Sequence, residues 1–249
     1  VVVNDAFANP PQDAPGKWNP EEDEYDVTVW DGQSTNEPAY DPATKTYTIK
    51  NGNELAWLAA AVNGTLETRA TAAPRTFQGE TFKLTRDINL NFNEWTPIGN
   101  SKNPFQGTFD GQGHTIANLL ITGNKSDVGL FGLTTVGEIK NLVVENAKVS
   151  GYLNVAVVAG TPYTSKYTNI TVQGHVEING FSYVGAVGGK NAYASWSNVT
   201  VNVDETSYIN ANSISDKNYR TYVGGVCGFM GEGTHSFTDV TSNIDVKGT

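Results

Sequence analysis

The sequence predicts an all-β protein, folded as a right-handed parallel β-helix (β-solenoid) with a short N-terminal capping helix. The first reason is a pair of sequence markers that recurs about every 28 residues. The second is composition: 26 glycines and only 17% charged residues favour a turn-rich β protein. Such a short unit cannot bury its apolar face alone, so units must stack. A propeller blade needs about 40 residues and is excluded.

Residues 1–26 are predicted to form a flexible acidic tether. The segment contains Pro10-Pro11 and the run Glu21-Glu22-Asp23-Glu24, and its low hydrophobicity and high charge disfavour a folded element. Residues 1–50 hold ten acidic and three basic side chains, a net charge of −7 out of −10 for the whole chain.

Residues 27–80 are predicted to supply N-terminal strands and the capping helix. Alternating polar and apolar residues at 25–30 and 46–49 are typical of strands. Residues 65–80, rich in threonine and with Pro74, are expected to form a loop.

The helix is expected over residues 51–63, with Asn51 or Asn53 as its N-cap and Asn63-Gly64 as its stop. Its apolar face consists of Leu55, Leu58 and Val62, with Trp57 beside it. A helix across the end of a solenoid covers unpaired strand edges and so prevents edge-to-edge aggregation. The alternative is a helix that binds a partner.

Residues 81–249 are predicted to form the β-solenoid, with leader coils followed by four repeats. The first marker closes at Gly132, Gly160, Gly188 and Gly228, with spacings of 28, 28 and 40 residues. The second marker is Asn141, Asn169, Asn198 and Asp239, with spacings of 28, 29 and 41. Both lengthen in the last unit, which places one insertion at about residues 210–221.

Stacking of these units makes specific contacts between coils. One large apolar residue lies two positions before each second marker; the four are Ile139, Tyr167, Trp196 and Phe237. We expect them to pile up in the core. The asparagines of the second marker are expected to form a ladder at a turn, with each amide bonded to the next.

The segment Gly129-Leu130-Phe131-Gly132, followed by Ile139–Val144 and closing at Val149-Ser150-Gly151, resembles the GLUG repeat. Residues 82–90, 95–99 and 104–116 are similar to the leader that precedes such repeats, so the resemblance covers about residues 45–249. It implies a surface protein of the Bacteroides type, since such repeats occur in adhesins and in non-catalytic parts of IgA-cleaving metallopeptidases. The second unit departs from the pattern, with Val157 in place of the first glycine.

Charge and hydropathy exclude several classes of partner. A net charge of −10 cannot neutralise a run of phosphates, so no nucleic acid is expected, and docking onto anionic membranes is equally disfavoured. No stretch approaches the roughly 18 apolar residues that span a bilayer. The single cysteine, Cys227, rules out an internal disulfide and is interpreted as a small core residue.

The sequence predicts no catalytic site, no metal site and no cofactor. His114, His175 and His235 lack the spacing of a zinc peptidase, and no Gly-x-Ser-x-Gly motif is present. Glu145 shares its repeat phase with Gln173, so stacking does not create an acid pair there. The pairs Asp87–Asp110 and Asp110–Asp127 stay open, as does a calcium ion on Asp204, Glu205 and Asp216.

Ligand binding is predicted on loops that follow the first marker in each unit. They should align along one edge of the solenoid, where Tyr163 and Tyr193 form a stacking platform for sugars. The flanking candidates are Lys166, Lys190 and Asn191, and the insertion adds Tyr219 and Arg220. The alternative is an ordinary surface loop.

The sequence therefore favours a non-catalytic adhesion or ligand-binding module, extracellular and anchored to the cell surface through its N-terminal segment. Its partner would be a host glycan or a surface or matrix protein. Two alternatives are a polysaccharide-degrading lyase or glycosidase of β-helix type and a pure spacer in a larger surface protein. The open C-terminal edge is expected to be covered by further domains or by a partner.

Overall fold

The structure is a computed structural model that describes residues 29–66, 74–212, 220–231 and 233–248. The predicted tether at residues 1–26, most of the predicted insertion and Tyr219 lie outside the described residues. In chain order the elements are β1 (Ala39–Asp41), β2 (Thr46–Ile49), α1 (Gly52–Asn63), β3 (Thr81–Leu84), β4 (Ile88–Asn89), β5 (Thr108–Asp110), β6 (Thr115–Ile121), β7 (Phe131–Thr135), β8 (Glu138–Ser150), β9 (Leu153–Val155), β10 (Ala159–Tyr163), β11 (Lys166–Gly180), β12 (Ser182–Gly185), β13 (Gly188–Asn191), β14 (Ser195–Val203), β15 (Tyr208–Ala211), β16 (Val223–Gly224), β17 (Cys227–Met230), β18 (Ser236–Ser242) and β19 (Asp245–Gly248).

These strands wind into a β-solenoid of about five turns, which confirms the predicted fold class. Sheet A has twelve strands, ordered β1-β2-β3-β5-β8-β11-β14-β18 with β4, β6, β15 and β19 beside this row. Sheet B has the order β17-β13-β10-β7, and sheet C has the order β16-β12-β9. The strand pairs between successive coils are parallel in all three sheets.

Helix α1 matches the predicted capping helix. The Asn51 side chain accepts a hydrogen bond from the Glu54 N–H at 3.0 Å, and the Glu54 carboxylate accepts one from the Lys50 N–H at 2.7 Å. Gly64 ends the helix in the left-handed conformation, with φ of 72°. Leu55, Leu58 and Val62 are fully buried, as their spacing predicted. Among the described residues, no helix has the length and apolar character needed to cross a bilayer.

The N-terminal strands are continuous with the solenoid. Strand β2 pairs in parallel with β3, so that Tyr47 lies over Phe82. Strand β1 pairs antiparallel with β2 in a hairpin that the sequence did not predict. Of the first predicted strand, the described part contains only a bridge between Val29 and Asn89.

The strand register corrects the first marker by one residue in the third unit. In sheet B the strands pair Phe131 with Ala159, Ala159 with Gly188, and Gly188 with Cys227. The next residue in each strand is therefore the equivalent glycine: Gly132, Gly160, Gly189 and Gly228. A Cβ at any of these four would lie within 2.5 Å of a backbone atom in another coil. At Gly188 the nearest atom would be 3.1 Å away, in the Trp196 side chain. Glycine is therefore required where coils approach closely, and that position is Gly189.

A column of large side chains runs through the core, as predicted. Tyr167 and Trp196 stack with ring centroids 4.1 Å apart and planes 19° apart, and Phe237 stacks on Trp196 at 6.4 Å. The register extends this column toward the N-terminus through three residues that the repeat spacing did not predict. These are Tyr47, Phe82 and Phe109, and Phe109 lies next to the predicted member Ile139.

The asparagine ladder is also present, although not at a turn. Asn198 Nδ2 donates to Asn169 Oδ1 at 2.9 Å, and Asn169 Nδ2 donates to Asn141 Oδ1 at 2.8 Å. The ladder begins one coil earlier, because Asn141 Nδ2 donates to Asp110 Oδ1 at 2.9 Å. The asparagines interrupt strands β8, β11 and β14, and each has a φ between 52° and 55°. They kink the strand, since asparagine tolerates the left-handed conformation better than most residues.

The C-terminal coil exposes apolar side chains. Met230, Phe237 and Val246 are 55%, 38% and 45% exposed. Strands β16, β17, β18 and β19 end their stacks and have no strand on their outer side among the described residues. The predicted partner or further domain at this edge stays a prediction.

We predict that Asn169→Ala is less stable than Asn169→Gly by about 1 kcal/mol, although glycine normally destabilises a strand. Both variants lose the two ladder bonds, but only alanine has a Cβ that strains a φ of 55°. Denaturant unfolding followed by circular dichroism measures the difference. Thr171→Ala and Thr171→Gly, in the same strand without positive φ, are the matched controls and should show the opposite order. An alanine variant at position 169 as stable as the glycine variant would contradict the strained position.

Candidate functional site

The predicted loop edge brings together only two of its candidates. Tyr163 and Tyr193 are 43% and 45% exposed, and their ring centroids are 5.8 Å apart. The ring planes meet at 70°, so the rings pack edge to face instead of forming a flat platform. Lys166 is exposed at the start of β11.

Asn191 and Lys190 do not join this edge. Asn191 is fully buried, and its Nδ2 lies 3.3 Å from His235 Nδ1, which corrects its predicted exposure to a ligand. Residues alternate between the two faces of a strand, so its neighbour Lys190 points outward. The Lys190 Nζ lies 5.6 Å from the ring centroid of Tyr183, a residue of sheet C. The second candidate set is therefore at the junction of sheets B and C.

Stacked tyrosines occupy the outer surface of sheet C. Tyr183 and Tyr222 have ring centroids 5.4 Å apart and planes only 8° apart. The register places Tyr183 in line with Asn154 of the preceding coil, and Tyr222 in line with Tyr183. Asn154 in turn donates a hydrogen bond to Asp127 Oδ1 at 2.7 Å, one coil earlier. One outward position thus changes from Asp and Asn to Tyr along the solenoid.

One more ring contacts this pair, and a second aromatic pair lies directly before strands β9 and β12. The Phe229 ring of strand β17 lies 4.9 Å from both Tyr183 and Tyr222. Phe181 packs at 5.3 Å from Tyr152 of the preceding coil. We call this half-buried set the aromatic face; it consists of Tyr152, Phe181, Tyr183, Tyr222 and Phe229.

Lys190 belongs to the aromatic face, and Arg220 lies next to it in the chain. Lys190 lies over Tyr183, in the range of a cation–π contact. Arg220 is exposed, and its backbone carbonyl accepts a hydrogen bond from the Ser182 hydroxyl beside Tyr183. It precedes Tyr222 by two residues, as Phe181 precedes Tyr183. The face therefore combines aromatic rings with positive charge.

The sequence contains a signal for this face in the residues that precede each first marker. In all four units, the residue at this outward position of sheet C is followed by valine and then by a small residue. The four segments are Asp127-Val128-Gly129, Asn154-Val155-Ala156, Tyr183-Val184-Gly185 and Tyr222-Val223-Gly224. This position lies five residues before the closing glycine in the first unit and six before it in the other three, so aligning the units on that glycine hides the column.

The carboxylates considered for catalysis have separate partners. The Asp87 carboxylate lies 3.2 Å from His114 Nδ1, whereas Asp110 and Asp127 each begin an asparagine ladder. Of the calcium candidates, Asp216 lies outside the described residues. Within the described ranges, no three His, Cys, Asp or Glu side chains are placed to hold a metal ion. Burial raises the pKa of the Cys227 thiol to about 12, which makes it unreactive.

A polar cluster on sheet A contains His175. Its Nε2 lies 2.8 Å from Glu177 Oε1, and its Nδ1 lies 3.2 Å from Asp204 Oδ2. Lys148 Nζ also contacts Glu177, at 3.1 Å. The hydrogen bond to Glu177 and the charge of Asp204 raise the pKa of His175 above its usual value, and the imidazole lowers the pKa of Glu177.

A comparison with curated proteins finds a similarity to Halomucin of Haloquadratum walsbyi (strain DSM 16790 / HBSQ001). The two are 34% identical over 161 residues, which is 55% of this chain. The chain spans about 2% of the length of Halomucin. No family model matches the sequence, and no solved structure matches it either.

We predict that the His175 imidazole titrates above its usual pKa of about 6.5 and that Glu177→Gln lowers this value, because the strongest acceptor is lost. A pKa raised by folding means that the protonated cluster stabilises the protein fully below about pH 6.5. This contribution is lost as pH rises through the folded-state pKa. NMR titration of the imidazole measures it. Glu138→Gln, an equal charge change elsewhere on sheet A, is the control and should leave His175 unchanged; an equal shift in both variants would contradict the local cause.

Proposed function

We propose that this chain is a non-catalytic module of a cell-surface protein that binds carbohydrate through its aromatic face. The observation that supports the proposal most directly is the pair Tyr183 and Tyr222, stacked at a position where earlier coils carry Asp127 and Asn154. The ladder residues satisfy one another within the protein, whereas two stacked tyrosines leave apolar edges in contact with water. Such a surface is explained by a ligand.

Carbohydrate is the ligand class that suits these groups best. Aromatic rings pack against the apolar face of a sugar ring, while hydroxyl and cationic groups beside them bond the sugar hydroxyls. The aromatic face offers both, because the phenol groups of Tyr183 and Tyr222 and the ammonium of Lys190 adjoin the rings. The pair Tyr163 and Tyr193 is a weaker candidate, since its edge-to-face packing presents no stacked platform.

A cell-surface location is supported by the similarity to Halomucin and by the solenoid itself. Stacked coils form an elongated scaffold, whose curvature and faces repeat proteins use for binding. The resemblance to the GLUG repeat leads to the same expectation. Anchoring through residues 1–26 belongs to this proposal and rests on their charge and composition alone.

We expect the double variant Tyr183→Ala/Tyr222→Ala to weaken glycan binding at least tenfold. Removing two stacked rings from the centre of a binding surface typically costs more than about 1.4 kcal/mol, which is a factor of ten in affinity. A glycan array identifies ligands of the wild-type chain, and isothermal titration calorimetry then measures both affinities.

The matched control is Tyr163→Ala/Tyr193→Ala, which removes the same two side chains from the predicted loop edge. It should retain wild-type affinity. Loss of binding in this control alone would move the site to the loop edge. Absence of glycan binding by the wild-type chain would overturn the proposal and favour a purely structural role.

A further inference from the structure

Some cations of the described chain pair with a carboxylate, whereas Lys190 of the aromatic face contacts an aromatic ring. Arg75 pairs with Glu80, Lys140 with Glu138, and Lys148 with Glu177, at 2.9 to 3.1 Å. Within the described ranges, neither Lys190 nor Arg220 takes part in an ion pair; Lys190 contacts an aromatic ring instead. In a chain with a net charge of −10, the Lys190 ammonium therefore places a local positive charge at the aromatic face.

We infer that the aromatic face takes an anionic saccharide, with the Lys190 ammonium as the group that selects the charged sugar over its neutral counterpart. This inference rests on the proposed function, because it names the ligand class of the same site. The relevant ligand chemistry is a sugar ring that carries a carboxylate or a sulfate.

The geometry of Lys190 supports this assignment. Its Nζ lies 5.6 Å from the Tyr183 centroid, so the ring holds the ammonium at the edge of the stacked pair. An ammonium has three donors, and the ring face uses none of them as a conventional hydrogen bond. A carboxylate or sulfate on a sugar stacked against the rings would therefore meet a charge already in position.

The nearest carboxylate in the same column does not cancel this charge. Asp127 lies two coils before Tyr183 in the register, a separation of about 10 Å at the usual strand spacing. Its Oδ1 accepts hydrogen bonds from Asn154 and from the Thr161 hydroxyl. At about one Debye length, with its acceptor atom engaged, it repels a bound anion only weakly.

An acidic peptide is a less suitable ligand for this face. A peptide carboxylate would meet Lys190, but its backbone would gain little from the stacked rings of Tyr183 and Tyr222. Sugar rings use both features, because each pyranose has an apolar face beside its polar substituents. A peptide ligand is therefore an outcome of the test, and the inference commits to a saccharide.

The experiment uses the full chain on an array of uronate, sialylated and sulfated oligosaccharides, each printed beside its neutral counterpart. Oligogalacturonate and its methyl ester are one such pair, since the ester keeps the ring and removes the charge. We expect the wild-type chain to bind the charged member of a pair up to about fivefold more tightly, as an exposed ion pair allows. The preference should shrink as salt is added.

Lys190→Gln should abolish this preference while keeping the affinity for the neutral sugar. Lys166→Gln, the same charge change on a different face, should keep the preference, and circular dichroism checks that both variants fold. Equal binding of charged and neutral sugars by the wild-type chain, or a preference unaffected by Lys190→Gln, would overturn the inference and leave the proposed function standing. Failure to bind any sugar would overturn both, as would tighter binding of poly-glutamate than of every saccharide.

Discussion

Parallel stacking of like residue on like residue is the constraint on which this structure depends. Each coil pairs its strands with the same strands of the next coil, so a side chain that suits one coil must suit its copy one rung away. This produces the stacked rings of Tyr167, Trp196 and Phe237, of which the first two are buried in the core. At the surface it produces the ladder in which Asn169 donates to Asn141 of the coil before and accepts from Asn198 of the coil after.

The same constraint explains how an aromatic surface arises without disturbing the fold. An outward position can hold any side chain that makes a favourable contact with the equivalent residue of the next coil. Tyrosine makes this contact by ring stacking, and asparagine makes it by hydrogen bonding. Tyr183 and Tyr222 stand where earlier coils carry ladder residues, so contact between coils is kept while the surface changes from polar to aromatic. A cation from the next sheet, Lys190, then rests on the ring that the replacement created.

The sequence predicted features that repeat and missed features that depend on one-residue register. The helix, the aromatic column and the asparagine ladder follow from spacing alone. Spacing alone does not tell which of Gly188 and Gly189 is equivalent to the marker glycines of the other units. The two are adjacent, and only the close approach of the preceding coil to Gly189 distinguishes them. That choice also decides which side of β13 faces outward, so Asn191 was placed at the surface although it is buried. Strand β1 of the hairpin has no equivalent in the repeats, so periodicity could not predict it.

The aspartates at the ladder positions follow one chemical rule. A carboxylate accepts but does not donate, so an aspartate can only receive the hydrogen bond that comes from the following coil. Asp110 and Asp127 do this, and each is the first residue of its ladder. Asp239 occupies the ladder position after Asn198, with the same left-handed backbone at φ of 53°. Asp239 cannot donate to Asn198, so the ladder of hydrogen bonds ends at Asn198. The Asp239 carboxylate can still accept a hydrogen bond, so a strand laid against β18 would continue the pattern if it presented an amide donor there.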